Sequence, residues 1–110
     1  DLECPSGWSS YSRYCYKPFK QEMTYADAER FCSEQAKGGH LLSVETALEA
    51  SFVDNVLYAN KEYLTRYIWI GLRFFFFECF MVSRDTRLRE WFKVDCEQQH
   101  SFICKFTRPR

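Results

Sequence analysis

The chain is predicted to fold as a single α+β domain. Three observations carry the prediction: two early segments with capping signals and helical spacing, a later half made of short strand-like patches, and six cysteines in 110 residues. Helices first and strands later separate into α+β rather than into an alternating parallel fold. A chain of this length has room for one core, so residues 1–110 are read as one domain.

The elements follow in order. Trp8 to Phe19 is rich in tyrosine and bounded by Gly7 and Pro18, which suits a pair of short strands clipped by Cys4 and Cys15. Thr24-Tyr25-Ala26-Asp27 opens a first helix, because the threonine hydroxyl can accept from the third helical amide and Asp27 favours the positive helix end. Tyr25, Ala28, Phe31, Cys32 and Gln35-Ala36 form its inward stripe, and Gly38-Gly39 closes it. His40 to Val44 reads as a short strand. Thr46-x-x-Glu49 is a full capping box for a second helix, whose inward face is expected to be Leu48, Phe52, Val53, Val56 and Ala59. Lys61 to Arg66 is a polar connection to Tyr67-Ile68-Trp69-Ile70-Gly71-Leu72, too apolar for anything but a central strand. Glu78 to Val82, Glu90 to Val94 and Ser101 to Phe106 complete the strand-like patches, with turns such as Glu97-Gln98-Gln99-His100 between them.

Composition narrows the function. Fifteen basic and fifteen acidic residues leave no net field to gather phosphate backbones or anionic lipid, so nucleic acid and membrane insertion are not expected. No stretch approaches the ~20 apolar residues of a membrane span, and the start at Asp1-Leu2-Glu3-Cys4 reads as a processed, mature end. Six cysteines in a short chain point to secretion and three disulfides; no two are close enough for the paired thiolates of a zinc site. No catalytic residues are found. His40 and His100 are the two histidines, and no spacing joins either to a serine and a carboxylate. An enzyme is not expected, and no cofactor is called for.

Gly7-Trp8-Ser9-Ser10-Tyr11, Cys15-Tyr16, Ala26 through Cys32, Trp69-Ile70-Gly71-Leu72, Cys96 and Phe102-Ile103-Cys104 together resemble the C-type-lectin-like domain over nearly the whole chain. Ser33-Glu34-Gln35-Ala36-Lys37-Gly38-Gly39-His40-Leu41 is similar to the α subunits of the snaclecs, the venom branch of that family. The resemblance implies disulfides Cys4–Cys15, Cys32–Cys104 and Cys79–Cys96, one of fifteen possible pairings. It implies a secreted venom protein that binds platelet glycoprotein Ib once paired with a homologous β subunit. The rival expectations are a binder of the γ-carboxyglutamate domain of a coagulation factor and a calcium-dependent sugar-binding lectin.

The sequence departs from the family in one large respect. Family members carry a long loop between the Trp-Ile-Gly-Leu strand and the next cysteine, whereas here only Arg73, Phe74 to Phe77 and Glu78 separate Leu72 from Cys79. The loop is thus truncated or absent. The phenylalanines read as a buried strand, as a partner-facing patch through Phe74, Phe75 and Phe76, or as the scar of a loop missing from the sequence.

The family's sugar site needs a proline-bearing motif in that loop and a Trp-Asn-Asp on the following strand. Neither is here: Trp91-Phe92-Lys93-Val94-Asp95 holds the strand position, and Pro5, Pro18 and Pro109 all lie elsewhere. A second family calcium site resembles Ser43, Glu45 and Glu49, but its fourth ligand is replaced by Lys105, so no bound metal is expected. The Lys105 ammonium could then supply the charge of the ion; alternatively Glu49 is only a helix cap and Lys105 a solvated terminus. Arg84, Arg87, Arg89 and Lys93 form a basic run, either a solvated face or a contact surface.

Overall fold

The computed structural model describes residues 3–71, 78–83 and 91–108. Seven strands and two helices occur among them. In chain order they are β1 (Ser9–Tyr11), β2 (Tyr14–Met23), α1 (Tyr25–Gln35), β3 (His40–Leu41), α2 (Ala47–Ala59), β4 (Tyr67–Ile70), β5 (Cys79–Ser83), β6 (Trp91–Val94) and β7 (His100–Thr107).

The strands join in the order β1-β2-β7-β4-β5-β6, with β3 paired to β7 off this path. All pairings are antiparallel except β4 with β7, where Ile68 lies beside Ser101 and Trp69 beside Phe102. Strand β7 is therefore the hub, touching β2, β3 and β4. Alternation along it sends Phe102 and Cys104 to one face and Ile103 to the other. The first face meets Tyr25, Ala28 and Cys32 of α1 with Phe19 and Trp69; the second meets Val53 and Leu57 of α2 with Tyr16, Ile68 and Ile70. The two helices thus cover opposite faces of the central strands.

Both helices start where the capping signals placed them. Thr24 accepts from the Asp27 amide at 3.3 Å and Thr46 from the Glu49 amide at 3.0 Å. Other expectations need correction. Helix α1 stops at Gln35, and Gly38, at φ +78°, serves the turn beyond it. The strand expected over His40 to Val44 is only His40–Leu41, with the Leu42 amide still donating to Ile103 O at 2.9 Å in the same register. In α2 Leu48 is 72% exposed and Ala59 is also on the outside, while Glu49 and Leu57 are buried. The helix is rotated because Glu49, not Leu48, is drawn inward. His100 begins β7 instead of lying in a polar turn.

The disulfides join Cys4 to Cys15, Cys32 to Cys104 and Cys79 to Cys96. Cys32 projects from α1 onto the hub strand, and its bond closes 72 positions of chain, worth about 4 kcal/mol in the chain-entropy picture. Phe74 to Phe77 and Leu72 lie outside the described residues.

Two backbone positions test this geometry in opposite directions. Ser12 opens the two-residue turn between β1 and β2 with φ +56°, a conformation that glycine adopts freely. A Cβ at Gly39 would overlap the Cys32 carbonyl oxygen, a backbone atom that cannot step aside. Urea unfolding is expected to show Ser12→Gly more stable by about 0.5–1 kcal/mol, and Gly39→Ala less stable by at least about 2 kcal/mol. Equal midpoints for the two variants would contradict the backbone described.

Candidate functional site

The site is built where the start of α2 meets the hub strand. Lys105 follows Ile103 on the α2 side of β7 and is fully buried. Register places Tyr16 of β2 directly beside it and His40 of β3 on its other flank. Its Nζ donates to Glu49 Oε2 at 2.6 Å and to Ser43 O at 2.8 Å, lies 3.4 Å from Ser43 Oγ, and stands 3.6 Å from Glu45 Oε2. The Tyr14 ring covers it at 4.0 Å, a cation–π contact.

Glu49 is used at both oxygens. Oε1 accepts from the Glu45 amide at 2.8 Å, completing the helix start, and Oε2 accepts from Lys105 and from the Tyr16 hydroxyl at 2.5 Å. Burial alone would raise the Glu49 carboxyl, but the bonds from Lys105, Tyr16 and the Glu45 amide outweigh it and hold its pKa below the ordinary 4.5. Burial first, and the bond to Glu49 second, push the Tyr16 phenol far above its ordinary 10.0. These charge-assisted bonds give both Glu49 oxygens, the Tyr16 hydroxyl and the Lys105 ammonium partners within the cluster.

Among the four sequence-derived positions, Ser43, Glu45, Glu49 and Lys105 do come together, and Lys105 is a buried cation rather than a solvated end. A calcium ion does not fit beside it. The centre of the oxygen cluster is taken by Nζ, whose positive charge opposes a divalent cation at that point.

Tyr14 and Tyr16 belong to this cluster although nothing in their local sequence marks them. Only the β2–β7 register, which sets Tyr16 against Lys105, could have done so. A cleft of about 310 Å³ opens over the cluster between the β1–β2 turn and the start of α2, lined by Tyr11, Arg13, Tyr14 and Glu45 among others.

The remaining candidate residues lie apart. Trp91 to Val94 is the edge strand β6, where exposed Lys93 meets Glu78 at 3.3 Å. Asp95 accepts from the Glu97 amide at 2.9 Å and so serves a turn. Arg84, Arg87 and Arg89 fall outside the described residues, as do Phe74, Phe75 and Phe76. His40 Nδ1 lies 2.7 Å from Leu41 O, and His100 Nε2 lies 2.9 Å from Gln98 Oε1 with its ring against Trp69.

Three tests follow from the cluster and its neighbours. Lys105→Ala leaves Glu49 buried without its cation and is expected to lower stability by roughly 3–5 kcal/mol, read by urea unfolding. Calorimetry should show no saturable calcium uptake by the unmutated chain and measurable uptake by Lys105→Glu, which adds a carboxylate and removes the charge. Micromolar uptake by the unmutated chain, abolished by Glu45→Ala, would contradict the geometry. For pH, a carboxyl lowered on folding contributes stability above 4.5 that is lost as pH falls through its folded value. His100, lowered by burial against the opposing pull of Glu22, likewise loses its share as pH falls below 6.5. Tyr16 acts at the other end, with stability present below 10.0 and lost as pH rises. Unfolding midpoints should therefore fall on both sides, with Glu49→Gln flattening only the most acidic portion and His100→Gln the portion that starts higher. An acid limb identical in Glu49→Gln would refute the assignment.

The profile of the Lectin C-type domain matches residues 21–75. The chain is 82% identical to the alpha subunit of snaclec CHH-B from Crotalus horridus, covering 100% of this chain and 99% of that one. That alignment runs over 126 positions, sixteen more than the 110 residues here, so the relative has residues without a counterpart. It is 41% identical to one subunit of the snaclec coagulation factor IX-binding protein of Protobothrops flavoviridis, over 94% of this chain and 99% of the relative. Among solved structures, botrocetin superposes with a TM-score of 0.88 at 39% identity, covering 97% of this chain and 100% of that chain. A polypeptide from the complex of botrocetin with the von Willebrand factor A1 domain, a mutant form, superposes at 0.77 with 30% identity, over 96% and 99%. Likeness of sequence and of fold agree from end to end, and the chain belongs to the snaclecs, the venom C-type-lectin-like family, as an alpha subunit.

Proposed function

We propose that this subunit is secreted, pairs with a homologous β subunit, and as a pair occupies platelet glycoprotein Ib, altering platelet adhesion and aggregation without catalysis. The observation that carries the reading is the Lys105 ammonium seated among Ser43, Glu45 and Glu49. It neutralises the buried carboxylate from within, so the fold that presents the binding surface needs no calcium of its own. A receptor surface can then be gripped by shape and charge alone. Relatives designated as subunits support an assembly, and the complex of botrocetin with the von Willebrand factor A1 domain supports a protein as the target. Three disulfides suit an oxidising, extracellular setting.

The factor IX-binding relative favours a second reading, in which the pair grips a calcium-loaded γ-carboxyglutamate domain. A sugar-binding lectin has the least support, since Trp91 to Asp95 lacks adjacent Asn and Asp oxygens.

Calcium separates the readings. Heterodimer passed over immobilised glycoprotein Ib ectodomain is expected to bind equally in calcium and in chelator, and to leave factor IX untouched. Binding to factor IX alone, lost in chelator, would replace the first reading by the second. The isolated subunit is expected to self-associate or sediment as aggregate, because its partner-facing edge would be uncovered.

A further inference from the structure

The last turn of α2 and the connection after it carry two strongly exposed tyrosines, to which the fold gives no internal use. Tyr58 is 65% exposed and Tyr63 is 66% exposed. Lys61 lies with its Nζ 4.4 Å over the Tyr58 ring, and no carboxylate pairs with it among the described residues.

The mount is rigid. Asn60 caps the helix with its amide on Leu57 O at 3.2 Å and its side chain on Val56 O at 2.7 Å. The amides of Tyr63 and Leu64 both donate to Asn60 O, at 3.0 and 3.2 Å, and Leu64 is buried in the α2 core. Thr65 then locks to the hub strand, its amide on Ser101 Oγ at 3.1 Å and the Ser101 amide on its Oγ1 at 2.9 Å. Two tyrosines fixed in this way offer large, amphipathic contact area with little entropy left to lose on binding.

Charge selects the partner. Lys61 and Arg66 flank Tyr63 against the single carboxylate of Glu62, so the turn is net positive. Position in the chain separates this surface from the expected contact with the β subunit: the turn enters β4 at Tyr67, whereas the segment expected to meet the β subunit follows the other end of that strand, Ile70, in sequence.

We infer that the turn from Tyr58 to Arg66 is a target-gripping face, with Tyr58 and Tyr63 as anchors and Lys61 as the contact to a carboxylate-bearing surface of the bound protein. The inference rests on the proposed function only in taking the target to be a protein.

The test uses intact heterodimer carrying Tyr58→Ala, Tyr63→Ala, Lys61→Glu or, as a control at the far end of α2, Leu48→Ala. Each is passed over immobilised glycoprotein Ib ectodomain, von Willebrand factor A1 domain, integrin α2 A domain and factor IX, at low and raised salt. On whichever protein the unmutated pair binds, each tyrosine variant is expected to lose about ten- to a hundredfold in affinity. Lys61→Glu should slow association about tenfold and flatten its salt dependence, while Leu48→Ala, subunit pairing and melting temperature stay unchanged. Loss on the A1 domain in place of glycoprotein Ib would sink the receptor assignment and keep this face. Undiminished binding by all three variants would overturn the face and keep the receptor. Broken subunit pairing would give the turn to the β subunit instead, and an unmutated pair that binds none of the four proteins would overturn both.

Discussion

Strand β7 is covered on both faces, and much of the rest follows from that constraint. A strand with a helix on each side has no solvent edge for a charged group, yet this one carries Lys105. An ammonium buried without partners would be too costly to keep charged. Its neighbours therefore supply a carbonyl, a carboxylate and an aromatic ring within about a hydrogen bond's reach, drawn from the β3–α2 connection, α2 and β2. Glu49 meets that demand and caps its helix at once. The inward pull on Glu49 then sets the rotation of α2, which turns Leu48 out and Leu57 in.

Local signals in the sequence were readable wherever one residue type serves one local purpose. Thr24 and Thr46 mark helix starts because their hydroxyls reach an amide three positions on, whatever the remainder of the chain does. Tyr67 to Ile70 is legible as a buried strand because no exposed element tolerates such a run. The rotation of α2 was not readable, since Leu48 and Leu57 are equally apolar and the choice between them is made by a lysine 56 positions beyond Glu49. The same distance hid Tyr14 and Tyr16 from the charge cluster. Ser43, Glu45, Glu49 and Lys105 were found through family resemblance, because spacing alone cannot bring a C-terminal lysine to the start of a helix.

A division of labour follows. The hub strand, its two helices and the bond between Cys32 and Cys104 form a body with few ways to move, while the surfaces able to meet other molecules are carried on turns anchored to it. Such a body can change what it recognises by altering exposed side chains, since none of them supports the core.

The central position of β7 also dictates the order in which the chain can assemble. Among the described residues the pair β1–β2 and the group β4–β5–β6 are joined into one sheet through a strand that lies after both in sequence. On a ribosome the first hundred or so residues can form local turns, helices and the short-range link of Cys4 to Cys15, but the two halves of the sheet lack the strand that pairs with both until His100 to Thr107 emerges. Contacts of such long sequence separation slow folding. During that interval Cys32 has no native partner and each half-sheet keeps an open edge, so newly made chains present sites for wrong pairing that the finished molecule, with its hub in place, does not.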